Sequence, residues 1–137
     1  WVREMSGEGA FRSMLDRIRE GKARRIDLPD QVFSRVHVDD IALGVIAAIE
    51  KGAPPGAYNL ADDLPCNQNR LVEEACRLLG APLPPLQSLD EAGLSPQGRA
   101  FYGENRRVAN GKVRRILGWR PEYPDYVAGL RSLLAAP

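Results

Sequence analysis

The spacing of apolar residues, taken together with helix-capping residues, predicts six helices along the chain. In most of these segments apolar side chains recur at intervals of three and four residues, which places them on one face of a helix. A capping side chain or a glycine marks most of the ends. The predicted helices are residues 10–21, a segment from Asp39 or Asp40 to Gly52, a segment from Asn67 to Gly80, residues 96–103, a segment from Asn110 to Gly118, and a terminal helix after Pro124.

The second of these helices follows two adjacent carboxylates, Asp39 and Asp40. A carboxylate at the start of a helix can accept hydrogen bonds from the free amides of the first turn, so capping is the preferred interpretation of the pair. General acid–base chemistry by the two carboxylates is the alternative. The predicted apolar face of this helix consists of Ile41, Val45, Ala48 and Ile49.

Alternating or β-branched residues predict three short strands, at residues 32–38, 57–61 and 106–109. The prolines at positions 82, 84 and 85 cannot continue a helix and predict an extended connector. We therefore expect an α/β fold with short strands and several helices, forming a single domain over residues 1–137. A free-standing sheet usually needs three or more strands with one face covered, so these few strands suggest that the chain packs against another domain.

The composition narrows the class of function. The 137 residues carry a net charge of +1, with 44% hydrophobic and 27% charged residues, as is typical of a soluble globular protein. This charge argues against nucleic acid as a partner, and no apolar stretch approaches the roughly 20 residues of a membrane span. Cys66 and Cys76, with His37 as the only histidine, are too few and wrongly spaced for a zinc site. We expect no metal, no membrane contact and a cytoplasmic location, with a Cys66–Cys76 disulfide as the less favoured state of the cysteines.

Four short motifs follow one another along the chain. They are Ser6-Gly7-Glu8-Gly9, then Arg35-Val36-His37-Val38-Asp39-Asp40, then Gly56-Ala57-Tyr58-Asn59-Leu60, and last Asn110-Gly111-Lys112 followed by Leu117-Gly118-Trp119-Arg120-Pro121. Their order resembles the C-terminal part of the extended or atypical short-chain dehydrogenases/reductases, the NAD-dependent epimerase/dehydratase family. The first motif departs from the family's Tyr-Gly-Pro-Gly turn at Ser6 and Glu8. The segment from Tyr123 to Leu130 resembles a bacterial branch of epimerase-like proteins.

The resemblance implies the small substrate-binding portion of a Rossmann-type NAD(P)-binding protein. For the intact protein it implies an NAD(P)-dependent epimerase, dehydratase or reductase that acts on a small compound bearing a hydroxyl or carbonyl group. NAD or NADP would be bound by an N-terminal Rossmann half. The sequence contains no glycine-rich dinucleotide motif, and none of its four tyrosines is followed four residues later by lysine. We therefore expect this chain to lack the N-terminal half, to bind no cofactor and to be inactive alone.

The expected partners are a small-molecule substrate and the Rossmann half, and a homo-oligomer is left open. The surface that meets the other half should be apolar and prone to self-association. The alternative function is that of a degenerate, non-catalytic family member that serves as a nucleotide sensor or a protein-interaction scaffold.

Five residues are candidates for substrate binding, and no residue is assigned a catalytic role. Nucleotide-sugar enzymes of the family carry a diphosphate-binding arginine four residues before the junction histidine. Phe33 occupies that position here, which argues against a nucleotide-sugar substrate. Arg35, on the same face of the predicted strand as His37, could bind an anion. The preferred role of His37 is structural, in the core. The candidates are Arg35, His37, Asn59, Arg99 and Arg107. A basic cluster is interpreted as a solvated helix face; it comprises Arg12, Arg17, Arg19, Lys22, Arg24 and Arg25.

Overall fold

The computed structural model describes residues 7–135 of the chain. Within this range the elements are α1 (Gly7–Arg19), β1 (Arg25–Ile26), α2 (Val38–Glu50), α3 (Gln68–Leu79), β2 (Leu86–Gln87), α4 (Pro96–Tyr102), α5 (Gly111–Leu117) and α6 (Tyr126–Ala135). All six predicted helices are confirmed, with ends shifted by up to about three residues, a normal uncertainty for helix termini. Of the first motif, Ser6 lies outside the described residues. Gly7, Glu8 and Gly9 form the first turn of α1 rather than a separate turn.

Two clusters of apolar side chains hold the helices together. One lies where α1, α3 and α6 meet, and it contains Cys76, which is buried and not disulfide-bonded. The other lies between α2 and α5 and includes the buried Trp119. The indole N–H of Trp119 donates to the backbone carbonyl of Asp40 at 2.9 Å, so the ring is buried without an unsatisfied donor. The first cluster is formed by Met14, Leu15, Ile18, Leu71, Val72, Ala75, Cys76 and Leu130.

Helix α2 is capped by a different residue from the one predicted. His37 is the N-cap, and its Nδ1 atom accepts from the Asp39 amide at 3.1 Å. Capping by Asp39 or Asp40 is therefore wrong, because α2 starts at Val38, two residues earlier than a cap at Asp39 would require. Asn67 does cap α3, where its Oδ1 accepts from the Asn69 amide at 2.8 Å. The side chain of Asn110 makes no capping bond to α5.

The remaining helix ends follow the sequence signals. Ser95 caps α4, since its Oγ atom accepts from the Gly98 amide at 3.1 Å. Gly80 and Gly118 end α3 and α5 in the left-handed conformation, both with φ of 64°. Only glycine adopts this conformation readily, which is why it is favoured one residue past a helix.

The three predicted strands are wrong as regular strands. Residues 32–37 form no strand and Val38 already belongs to α2; Phe33 exchanges two backbone hydrogen bonds with Cys66, at 3.0 and 3.1 Å, as an isolated bridge. Residues 57–61 and 106–109 are irregular. A regular strand needs a neighbour that pairs with it over several residues, and no such ladder reaches these segments within residues 7–135. Their composition favours an extended backbone, but composition alone does not supply the pairing partner.

The described residues contain one two-stranded parallel sheet, which the sequence did not predict. Arg25 pairs with Leu86 and Ile26 with Gln87. The second strand follows the proline-rich connector, whose residues 82–85 form no helix, as the prolines require. The fold is the predicted α/β type, with short strands and several helices.

Helix α2 leaves half of its predicted apolar face uncovered. Ala48 and Ile41 pack against the second cluster, but Val45 and Ile49 are exposed, Ile49 by 75%. Leu43 and Ile46 are also exposed. The four exposed side chains are called the α2 apolar surface below. No helix within residues 7–135 is long and apolar enough to cross a membrane.

Candidate functional site

A cleft of about 480 Å³ opens between α1, the loop that follows it, the start of α3, and α4. This volume lies within the range of small-molecule sites in proteins. The lining side chains that carry charge, aromatic rings or an amide are Arg17, Lys22, Arg24, Gln68, Phe101 and Tyr102.

The charged side chains on this cleft are all basic. Arg17 comes from the end of α1, and Lys22 and Arg24 come from the loop after it; no described lining residue is a carboxylate. A guanidinium N–H of Arg24 donates to the Ala92 carbonyl, which fixes its position across the cleft. Lys22 pairs with the exposed Glu20 at 3.2 Å. The lining therefore favours an anionic ligand.

Two aromatic residues of α4 form the other side of the cleft. The ring of Phe101 stacks on the buried ring of Phe33, with centroids 4.4 Å apart and planes inclined by 18°, and the Phe101 side chain remains 39% exposed. Burial raises the pKa of Tyr102. Three guanidinium groups oppose that rise in pKa; they belong to Arg17, Arg24 and Arg35. The phenol thus remains neutral at physiological pH, within the electrostatic range of these cations.

Arg35 lies behind the cleft rather than in it. Its guanidinium is buried, donates to the side-chain oxygen of Gln68, and lies 3.2 Å from the Cys66 sulfur. Gln68 lines the cleft, so Arg35 fixes one of its lining side chains. The charge of Arg35 also lies 5.9 Å from the centroid of the Phe33 ring.

Asp62 is buried close to Arg35. Burial raises its pKa from 3.8 to about 7, against the opposing effects of the Leu64 amide and the Arg35 guanidinium. The neighbouring carboxylates Asp125 and Asp63 raise this pKa further. The Leu64 amide donates to the Asp62 carboxylate at 3.1 Å. Asp62 does not line the cleft.

The structure places His37 in the core, away from the cleft. Its ring stacks on Tyr123 with centroids 4.0 Å apart, and its Nε2 atom lies 3.1 Å from the Ser132 hydroxyl. With Nδ1 accepting from the Asp39 amide, both ring nitrogens have partners. These contacts join the start of α2 to α6.

The other sequence candidates lie on the surface and are not brought together. Asn59, Arg99 and Arg107 are exposed. Arg99 is on α4, where it pairs with Asp90 at 2.9 Å. None of the three lines the cleft.

Asp40 has a structural role that the sequence interpretation missed. Its carboxylate is fully buried and accepts from the backbone amides of Glu122 and Tyr123, at 2.7 and 3.0 Å. It thereby fastens residues 122–123 to the start of α2. Asp39 is mostly exposed, with its carboxylate 3.8 Å from the His37 ring. The two carboxylates point to different surroundings and do not form an acid–base pair.

Three of the lining residues, all basic, belong to the cluster for which the sequence predicts a solvated helix face. Arg17, Lys22 and Arg24 are indeed exposed, but they converge on one concave surface. A usable signal was the extended segment after α1, where successive side chains point to opposite sides. Arg25 accordingly reaches the Pro84 carbonyl and Glu73, whereas Arg24 reaches the Ala92 carbonyl.

Comparison with known proteins gives relatives that are much longer than this chain. No family model matches the chain. It is 33% identical over 116 residues to a 3-diazoavenalumate denitrifying reductase from a Streptomyces species, a match that covers 79% of this chain and 37% of the reductase. A conserved protein of unknown function from Silicibacter pomeroyi DSS is 42% identical, with a TM-score of 0.83 over 88% of this chain and 43% of that protein. A human epimerase family protein, solved with NADPH, has 21% identity and a TM-score of 0.75 over 93% of this chain and 45% of the human chain.

The chain thus spans less than half the length of these relatives. Further structures with the same fold include a UDP-galactose 4-epimerase and a dTDP-glucose 4,6-dehydratase, and they too are matched over less than two fifths of their length. These matches agree with the order of the four sequence motifs. The resemblance to the NAD-dependent epimerase/dehydratase family is confirmed at the level of the fold, because the chain has the fold of part of these proteins.

Proposed function

We propose that residues 1–137 form a single substrate-binding domain of an NAD(P)-dependent reductase or epimerase that acts on a small hydroxyl- or carbonyl-bearing compound. The observation that carries the proposal is the cleft of about 480 Å³ with Arg17 and Arg24 on one side and two aromatic residues on the other. The Streptomyces relative is named as a reductase, and the human structural relative was solved with NADPH. Both support a redox role for the parent protein.

In this proposal the chain provides the substrate site and a Rossmann half provides the cofactor site. The printed sequence has neither the glycine-rich loop nor the Tyr-x-x-x-Lys pair, so NAD or NADP and the proton-transfer groups would belong to the other half. The residues of this chain would bind and orient the substrate, which is sufficient to determine specificity when a cleft lies between two domains. Arg35 would act as a positioning residue through Gln68.

The α2 apolar surface supports packing against another domain. Leu43, Val45, Ile46 and Ile49 lie on one helix, and each is at least 36% exposed. Burying such a surface stabilises an interface by about 25 cal/mol per Å² of apolar area. We propose the Rossmann half as the element that covers it.

The test is NADPH consumption by the product of the complete reading frame that encodes this chain. A panel of small aldehydes and ketones is supplied, and the loss of NADPH absorbance is followed. The proposal predicts turnover with at least one carbonyl compound and a higher KM in Arg17→Gln, with little change in kcat. Arg19→Gln is the matched control, because Arg19 lies on the same helix, pairs with Asp16 and does not line the cleft. NADPH binding without turnover of any carbonyl would favour the non-catalytic alternative.

A further inference from the structure

The chemistry of the cleft also indicates what kind of compound it accepts. We propose that the cleft binds the carboxylate of a small planar aromatic acid, with Arg17 and Arg24 contacting the carboxylate and α4 contacting the ring. This inference rests on the proposed function in that it names the substrate class of the same site. It can nevertheless be tested by binding alone, without cofactor or turnover.

The charged groups of the lining are of a kind that binds a carboxylate. Arg17 and Arg24 present guanidinium groups, which bind a carboxylate through paired, charge-assisted hydrogen bonds. Part of the Arg24 fork is already used on the Ala92 carbonyl, and Lys22 is paired with Glu20. The bond to Ala92 therefore leaves fewer N–H donors of Arg24 for a ligand, while its positive charge is unchanged.

The opposite side of the cleft is suited to a flat ring. Phe101 is held by its stacking on Phe33, so the exposed part of its ring is fixed in place rather than free to rotate away. The Tyr102 ring meets the Phe101 ring edge-on, with centroids 5.2 Å apart and planes at 88°. Two aromatic rings at right angles offer both stacking and edge contacts to an aromatic ligand.

The same geometry argues against a nucleoside diphosphate. Phe33 is 1% exposed and offers no hydrogen bond to a phosphate, and Arg35 is turned inward to Gln68 and Cys66. A diphosphate would need several free cationic groups, since each phosphate oxygen that is removed from water must be paired.

The experiment measures binding to the 137-residue chain by isothermal titration calorimetry. The probes are cinnamate, its neutral analogue cinnamamide, and UDP, each up to about 10 mM so that millimolar affinities are visible. Cinnamate is expected to bind at least about tenfold more tightly than cinnamamide, the usual effect of charge-assisted hydrogen bonds. Arg17→Gln and Arg24→Gln should each weaken cinnamate binding about tenfold, whereas Arg19→Gln should not change it. Far-UV circular dichroism checks that each variant is folded.

Three results would overturn the inference. Equal affinity for cinnamate and cinnamamide would show that Arg17 and Arg24 do not bind the carboxylate of the ligand. Tighter binding of UDP than of cinnamate, with the same dependence on Arg17, would assign the cleft to a nucleotide. If none of the probes binds, the assignment of the cleft as a ligand site of this chain is wrong. None of these results bears on whether the parent protein oxidises NADPH, so the two proposals fail separately.

Discussion

The buried carboxylate of Asp40 provides a sharp test of the structure. In Asp40→Asn the side chain keeps its shape but has one oxygen in place of two, and its NH₂ group faces a backbone N–H. The wild-type carboxylate accepts from the Glu122 and Tyr123 amides at 2.7 and 3.0 Å and is fully buried. One of these amides therefore loses its acceptor in the variant, beside a side chain that is fully buried.

The expected loss in the free energy of unfolding follows from these two hydrogen bonds. A buried donor left without a partner costs about 1–3 kcal/mol, and a hydrogen bond to a charged group contributes about 1.5–3 kcal/mol where a neutral one contributes about 1. Removing the buried charge recovers part of its desolvation cost. We therefore expect Asp40→Asn to lower the free energy of unfolding by about 2–4 kcal/mol.

Urea unfolding followed by circular dichroism measures this loss, and Asp39→Asn is the matched control. Asp39 is adjacent, undergoes the same chemical change, and is 64% exposed at its side chain. Its contribution is limited to the helix-dipole effect at the start of α2, about 0.3–1 kcal/mol. A loss in Asp40→Asn no larger than that in Asp39→Asn would refute the burial and the two amide contacts assigned to Asp40.

Three further predictions concern other parts of the fold. Burial raises the pKa of Asp62 from 3.8 to about 7, so between these pH values the folded state holds a proton that the unfolded state releases. This group therefore stabilises the fold at low pH, and its contribution falls as pH rises from 4 to 7. This contribution to the free energy of unfolding falls by as much as about 4 kcal/mol over that range. In Asp62→Asn the free energy of unfolding should not show this fall, and an equal dependence on pH in the variant and the wild type would contradict the prediction. Ile49→Lys should change the free energy of unfolding in urea by no more than about 0.5 kcal/mol, because the side chain is exposed. The variant should self-associate less in sedimentation experiments, and unchanged self-association would argue against the α2 apolar surface as its cause. Gly118→Ala should lower the free energy of unfolding by about 1 kcal/mol, since φ is 64° there and a Cβ would lie 2.7 Å from the Lys51 ammonium. An unchanged midpoint of thermal unfolding would contradict this prediction.

The helices could be predicted from sequence because their signals are local. The stripe that includes Leu71, Val72 and Cys76 lies within one segment, and Asn67 and Gly80 mark its ends by contacts within a few residues. Strands depend on partners far away in the chain. Arg25 and Ile26 pair with residues about sixty positions later, and no pattern near either segment indicates that pairing.

The site was harder to predict for the same reason. A motif identified Arg35 and His37, and both have buried contacts that only the folded chain reveals: Gln68 for one, Tyr123 and Ser132 for the other. The cleft depends on the approach of α4 to the end of α1, which no local pattern of charge predicts. The order of the motifs indicated the family resemblance, and the structure showed which residues line the cleft.

The most direct test of the central claim is a fluorescence titration with NADH and NADPH. It is run on the 137-residue chain and on the product of the complete reading frame, side by side. If this chain is the substrate-binding part of an NAD(P)-dependent enzyme, the complete product binds a dinucleotide and the 137-residue chain does not. Tight binding by the 137-residue chain itself, or binding by neither protein, would contradict that claim.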